Sequence, residues 1–188
     1  MNENKIFNAS NLLSFVRLLL IIPLWFAFEN FSEQFYRHVV AGIGIFAAIT
    51  DILDGYMARK LNQITEFGKI IDPLADKVLI IFVVLNLFLL NEIPDYYFYM
   101  IVARDILILT GGIIVSKKVG RVLPSDYIGK ATVLAISFVL LMVLFQVDKI
   151  SIPYVALYYL SIVLVIISFI NYLVKAFKAI KKIPNEII

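Results

Sequence analysis

Apolar residues run through this chain in six long blocks separated by short polar breaks. The blocks cover roughly Leu12–Phe28, Phe35–Met57, Phe67–Leu90, Tyr96–Val115, Tyr127–Phe145 and Ile152–Val174. Each approaches the ~20 residues with which a helix crosses a bilayer. Strands cannot compete, because in lipid every backbone N–H and C=O must be bonded within its own segment or a closed barrel. The pattern predicts an all-α integral membrane bundle of six transmembrane helices, forming one membrane-embedded domain over residues 1–188. Pro23 is placed to kink the first span, and Pro73 falls in or near the first turn of the third. Gly42 and Gly44 in the second span predict close packing against a neighbouring helix.

Composition supports this reading. Hydrophobic residues make up 62% of the chain, and the mean hydropathy is +0.93, whereas a soluble domain is nearer half apolar. There is no cysteine, so no disulfide framework and no thiolate metal site. The first block competes with a signal peptide, but Arg17 interrupts it and no small-residue cleavage site follows. The net charge is +3, and the basic residues flank apolar spans rather than forming one stripe. Nucleic-acid binding therefore has no support.

The distribution of charge sets an expected orientation. Lys5, Arg59, Lys60, Lys69, Lys77, Lys117, Lys118, Arg121, Lys130, Lys175, Lys178, Lys181 and Lys182 fall on one side of the six spans. Only Arg37 and Lys149 lie between spans on the other. Basic residues accumulate on the cytoplasmic side, so both termini are expected there. The sequon Asn8-Ala9-Ser10 would then be inert. Tyr96, Tyr97, Phe98 and Tyr99 read as an aromatic belt at the opposite interface. His38, the one histidine, sits at that end of its span and is read as structural.

The chemistry is concentrated between residues 51 and 76. Asp51 and Asp54 are three apart and Asp72 and Asp76 four apart, so on helices each pair shares a face. A polar stretch from Arg59 to Glu66 can turn one helix back beside the other. Four carboxylates brought together in a low-dielectric bundle repel, and divalent cations relieve that repulsion. Oxygen-only ligands suit hard ions such as Mg²⁺. No Walker-type phosphate loop, Ser–His pair or histidine cluster competes with this site.

The full pattern is Asp51-x2-Asp54-Gly55-x2-Ala58-Arg59-x8-Gly68-x3-Asp72-x3-Asp76. It resembles the signature of the CDP-alcohol phosphotransferase (CDP-alcohol phosphatidyltransferase) family at every defined position. The resemblance implies a metal-dependent enzyme of phospholipid biosynthesis that moves a phosphatidyl group from CDP-diacylglycerol to an alcohol and releases CMP. It implies two divalent cations, Mg²⁺ or Mn²⁺, on Asp51, Asp54, Asp72 and Asp76, with Asp76 also the general base. By the same resemblance Gly55, Ala58 and Gly68 line the cytidine site and Arg59 meets the donor phosphates. A homodimer in the cell (inner) membrane, with its active site facing the cytoplasm, is the corresponding expectation.

The acceptor is read from basic residues. Arg104 lies inside an apolar span and needs a partner or an anion. Asp105 is a candidate partner, although neighbours on a helix point apart. Arg104, Arg121 and Lys130 suit an acceptor that carries phosphate, such as glycerol 3-phosphate. Asn11, Ser14 and Arg17 recur every three residues, and a similar Asn-x2-Thr-x2-Arg start in the family adds them to the candidate acceptor residues. In length and at Gly129-Lys130 the chain resembles phosphatidylglycerophosphate synthases of the family. At Arg104-Asp105 it is closer to cardiolipin synthases, whose acceptor is phosphatidylglycerol. An ion- or proton-coupled transporter is the alternative from another class, since carboxylates in spans can mark an ion path. Here the acids sit at one end of the spans, not the midplane.

The orientation is directly testable. A reporter fused after Lys182 is expected to be active in the cytoplasm; activity confined to the outside would contradict the arrangement of six spans.

Overall fold

The computed structural model describes the backbone of residues 15–60, 68–119 and 127–181, and side chains within 15–53, 77–115, 127–179 and at 181. Among these residues every regular element is helical. A turn of helix over residues 15–19 leads into α1 (Ile21–Glu29). Then follow α2 (Gln34–Lys60), α3 (Gly68–Leu89), α4 (Asp95–Val119), α5 (Tyr127–Leu144) and α6 (Ile152–Lys181). Four of them, α2, α4, α5 and α6, are long and apolar enough to cross a membrane. Only 17% of the α4 span is buried, and Ile106, Leu107, Leu109, Ile113 and Ile114 face outward. Such a surface is untenable in water and costs nothing against lipid tails. The chain is a membrane protein.

The contacts fall into two compact units, residues 1–90 and 91–188. In the first, α1 packs on both α2 and α3. Leu24, Ala27 and Phe28 of α1 are buried, as are Val40, Ala41 and Ala47 of α2 and Leu79, Val83, Val84 and Leu87 of α3. Phe28 stacks on Phe31 at 5.1 Å and meets Phe82 edge-on at 6.1 Å. The Arg37 guanidinium lies 4.2 Å above the Phe31 ring, so a buried cation rests on an aromatic face.

The first span is not one continuous helix. It breaks at Leu20, whose N–H is shared between the carbonyls of Val16, at 3.0 Å, and Arg17, at 3.2 Å. Pro23 explains the position of the break. It has no N–H to give the carbonyl of Leu19, and its ring crowds that carbonyl. Proline is tolerated in a first turn, where it now sits. Among the described residues the expected glycine contact on α2 is not met: a methyl group at Gly42 or Gly44 would meet no atom of theirs within 4 Å.

In the second unit α6 packs on α4 and α5. The α4–α6 seam has a seven-residue repeat. Tyr97 Oη and Ser161 Oγ are hydrogen-bonded at 2.8 Å. One repeat on, Arg104 Nε donates to Ser168 Oγ at 3.2 Å. Seven residues on in α4, but four on in α6, a methyl group on Gly111 would stand 3.1 Å from the ring and from the hydroxyl of Tyr172. Val115 then packs with Ala176 and Ala179. A repeat of seven keeps one face of each helix on the other along a left-handed crossing. Small residues and hydroxyls, rather than large apolar ones, mark that face, as expected where lipid offers no hydrophobic contrast. On the other side of α6, the buried Thr132 hydroxyl of α5 meets the Leu164 carbonyl at 3.1 Å.

The helix ends use local chemistry. Past α5 the N–H of Val147 bonds the Met142 carbonyl at 2.9 Å and that of Gln146 bonds Val143 at 3.1 Å. This is a Schellman closure, with Gln146 at φ 54° in the place where glycine is usual. Before α6, Asp148 Oδ1 accepts the N–H of Ile150 at 3.0 Å, and the Ser151 hydroxyl donates to the Asp148 carbonyl. Pro153 then occupies the first turn.

The Gly111 notch gives a stability prediction. Gly111→Leu should displace the Tyr172 ring and lower the thermal midpoint, because overpacking a fitted seam costs ~1–3 kcal/mol. Adding Tyr172→Ala should recover part of the loss. Equal midpoints for the single and double variants would mean that the two residues are not coupled.

Candidate active site

The acid-bearing positions fall at the facing ends of sequence-adjacent helices. Asp51 and Asp54 lie in the last three turns of α2, and Asp72 and Asp76 in the first three turns of α3. Both runs are helical, so each pair lies on one face of its helix. Gly55, Ala58 and Arg59 follow on α2, and Gly68 opens α3. The side chains of Asp54, Ala58, Arg59, Asp72 and Asp76 lie outside the described residues, as do Asn11, Ser14, Arg121 and the turn between α2 and α3.

Asp51 is described, and it has a partner. Arg17 Nη1 donates to Asp51 Oδ1 at 3.1 Å. The two ends of this pair differ sharply in environment: the Arg17 side chain is 1% exposed and that of Asp51 49%. A cation buried in an apolar bundle is costly unless paired, and the Asp51 carboxylate supplies the pair. Its second oxygen carries no hydrogen bond to a described residue. A half-exposed carboxylate with one oxygen fixed and one open suits a hard cation, as the donor set of the pattern requires. Thr50, buried beside it, is occupied locally by donating to the Ala47 carbonyl at 2.8 Å.

Arg104 has a different setting. Its Nη1 donates to Asp105 Oδ1 at 2.6 Å, which corrects the expectation that these neighbours point apart. The arginine stem is long enough to fold its head back onto the adjacent carboxylate. Nε is held by Ser168. Nη2 carries no hydrogen bond to a described residue and faces Gly129, where a methyl group would stand 3.5 Å away. Three helices thus meet at one guanidinium: α4 supplies it, α6 fixes one edge, and α5 presents a glycine to the other. Lys130, next to that glycine, is exposed in the first turn of α5. One residue of this constellation, Ser168, was not singled out by charge patterning, whereas Asp105 was a named candidate partner of Arg104. The seven-residue spacing of Ser161 and Ser168 in an otherwise apolar helix is the signal that marks the seam.

At the Tyr96 end of the second unit a groove of about 470 Å³ is lined by Glu92, Asp95, Tyr96, Lys149, Tyr158 and Tyr159, among others. Lys149 is tied to the Glu92 carbonyl at 2.9 Å and Tyr158 to Tyr96 at 2.6 Å. No set of converging metal ligands is found here among the described residues, and Tyr97, expected in the aromatic belt, is instead buried in the α4–α6 seam.

Comparison with known proteins places the chain in a family. Residues 7–173 match the family model described as CDP-alcohol phosphatidyltransferase. A CDP-diacylglycerol–glycerol-3-phosphate 3-phosphatidyltransferase of Aquifex aeolicus is 38% identical over 93% of this chain and 99% of its own length. The protein of the same name from Bacillus subtilis is 31% identical over 93% of this chain and 98% of its own. A CMP-forming cardiolipin synthase of Rattus norvegicus is 39% identical, but over 53% of this chain and 32% of its own length. With the acid pattern at every position and the match running from the first span into the last, this chain belongs to the CDP-alcohol phosphatidyltransferase family.

Proposed function

We propose that this enzyme transfers the phosphatidyl group of CDP-diacylglycerol to glycerol 3-phosphate, giving phosphatidylglycerophosphate and CMP. The observation that carries the reading is similarity over nearly full length to relatives named for that reaction, in a chain that also holds the acid pattern. The cardiolipin synthase match covers about half of the chain, so phosphatidylglycerol is the less supported acceptor.

The residues divide the work. Asp51, Asp54, Asp72 and Asp76 hold two divalent cations, Mg²⁺ or Mn²⁺, which would offset the negative charge of the pyrophosphate oxygens. Gly55, Ala58 and Gly68 leave backbone room for the cytidine, and Arg59 pairs with the donor phosphates. Arg104 binds the acceptor phosphate through its open Nη edge, supported by Lys130 and Arg121; Asn11 and Ser14 line the same substrate. The acceptor hydroxyl loses its proton to Asp76 as its oxygen attacks the phosphorus that bears the diacylglycerol. A new phosphoester forms, the bond to CMP breaks, and CMP leaves with the electron pair. The active site faces the cytoplasm of the cell's inner membrane, and the enzyme is a homodimer.

Two experiments test this reading. Activity measured as CMP release should vanish in EDTA and return with Mg²⁺ or Mn²⁺; full activity in excess chelator rejects the metal site. In the same assay Asp76→Asn should lose ~10²–10⁴-fold in kcat and not recover with added metal, because an amide cannot take the proton. Asp54→Asn should be partly rescued by more Mg²⁺.

Arg104→Ala should raise the KM for glycerol 3-phosphate on the order of tenfold or more while leaving the KM for CDP-diacylglycerol near its original value. Equal changes in both constants would make Arg104 a structural residue of the seam.

A further inference from the structure

Arg17 is a candidate acceptor residue whose described partner, Asp51, is itself a proposed metal ligand. The guanidinium is 1% exposed, which leaves almost no surface for a substrate. Its Nη1 instead holds Oδ1 of Asp51 at 3.1 Å. Two facts follow from elementary electrostatics. A cluster of four carboxylates without metal repels itself, and a fixed cation on one of them relieves part of that repulsion. The same cation draws on the carboxylate that a metal would use, so arginine and metal compete for Asp51.

We infer that Arg17 is the built-in counter-ion of the metal-free site: it holds one oxygen of Asp51, leaves the other for metal, and does not bind the acceptor. The inference rests on the proposed metal site. Arg17 is thus a positioning residue that acts through Asp51. The carboxylate sits on a helix and has two side-chain torsions, so little alignment is lost without the arginine. The charge is the larger effect, and it opposes metal binding.

The test uses full-length protein purified in detergent, comparing the original chain with Arg17→Met and Arg17→Lys. Free Mn²⁺ is counted by its paramagnetic resonance signal, and thermal midpoints are recorded in EDTA and in saturating Mn²⁺. Arg17→Met should lower the midpoint in EDTA and be rescued by Mn²⁺ through a larger shift than the original chain shows. Its Mn²⁺ dissociation constant should fall on the order of tenfold, the usual size of an effect on a metal ligand's partner but opposite in sign because this partner is a cation. Arg17→Lys should stay near the original values. The KM for glycerol 3-phosphate in saturating Mn²⁺ should change less than about twofold. Unchanged or weaker Mn²⁺ binding in Arg17→Met overturns the inference, and so does a tenfold rise in acceptor KM. If Arg17→Met does not accumulate, Arg17→Gln removes the same charge and must tighten Mn²⁺ binding; original affinity there overturns the inference equally. An original chain that binds no Mn²⁺ removes the metal site itself, a failure separate from any behaviour of the variants.

Discussion

A charge inside an apolar bundle must find an opposite charge, and that constraint organises both units of this protein. In the first unit Arg17 is buried and Asp51 compensates it. In the second, Arg104 is compensated by the residue next to it. Losing either carboxylate would remove part of the compensation of a buried charge, which is costly in an apolar setting. The pairs therefore fix where the first helical turn meets α2 and which way the Arg104 head turns. The helices around them need only avoid filling the space. Gly129 does so at Arg104.

Packing around these pairs follows the rules of lipid rather than water. On α5 the buried positions are Thr132, Ala135, Ile136, Val139, Leu140, Val143 and Leu144, a regular stripe at helical spacing. Yet Val133, Leu134 and Phe138 on the opposite face are exposed and just as apolar. Hydrophobic contrast cannot select the inner face when both faces are apolar. Shape and a few hydroxyls select it instead. Each hydrogen bond such as that of Tyr97 with Ser161 adds only ~0.6 kcal/mol in a bilayer, but its direction fixes register along the whole seam.

That physics explains what the sequence disclosed. The six helices were legible because apolar length is a backbone requirement of the bilayer, and it leaves a continuous mark on the chain. Several starts were legible to within a residue, since the apolar blocks beginning at Tyr96, Tyr127 and Ile152 become helices beginning at Asp95, Tyr127 and Ile152. The break at Leu20 was half legible: Pro23 announced a disturbance, but the lost bond acts three to four residues earlier. The turn after α5 was not legible, since Gln146 takes a left-handed conformation that composition does not advertise. The acids were legible through spacing alone. Their partners were not, because Arg17 and Asp51 are 34 residues apart, and no local rule joins them. The Arg104–Asp105 pair was legible as a candidate, and the doubt about it came from the rule that neighbours diverge, which describes Cβ directions, whereas an arginine head lies several bonds beyond its Cβ.

The two arginines also show why residue type alone cannot assign a role. Both are cations within apolar surroundings, and both sit beside one aspartate. Arg17 is sealed at 1% exposure while its carboxylate opens outward. Arg104 keeps 10% of its side chain exposed, and its carboxylate is the more covered at 20% than Asp51 at 49%. In the first pair the anion is the accessible partner, so the pair presents a carboxylate to whatever approaches. In the second the guanidinium retains an edge with no bond to a described residue. The first pair would therefore suit a cation and the second an anion. The proposed transfer between two negatively charged substrates would use both kinds of site, and each unit offers one by exposing the opposite end of a similar ion pair.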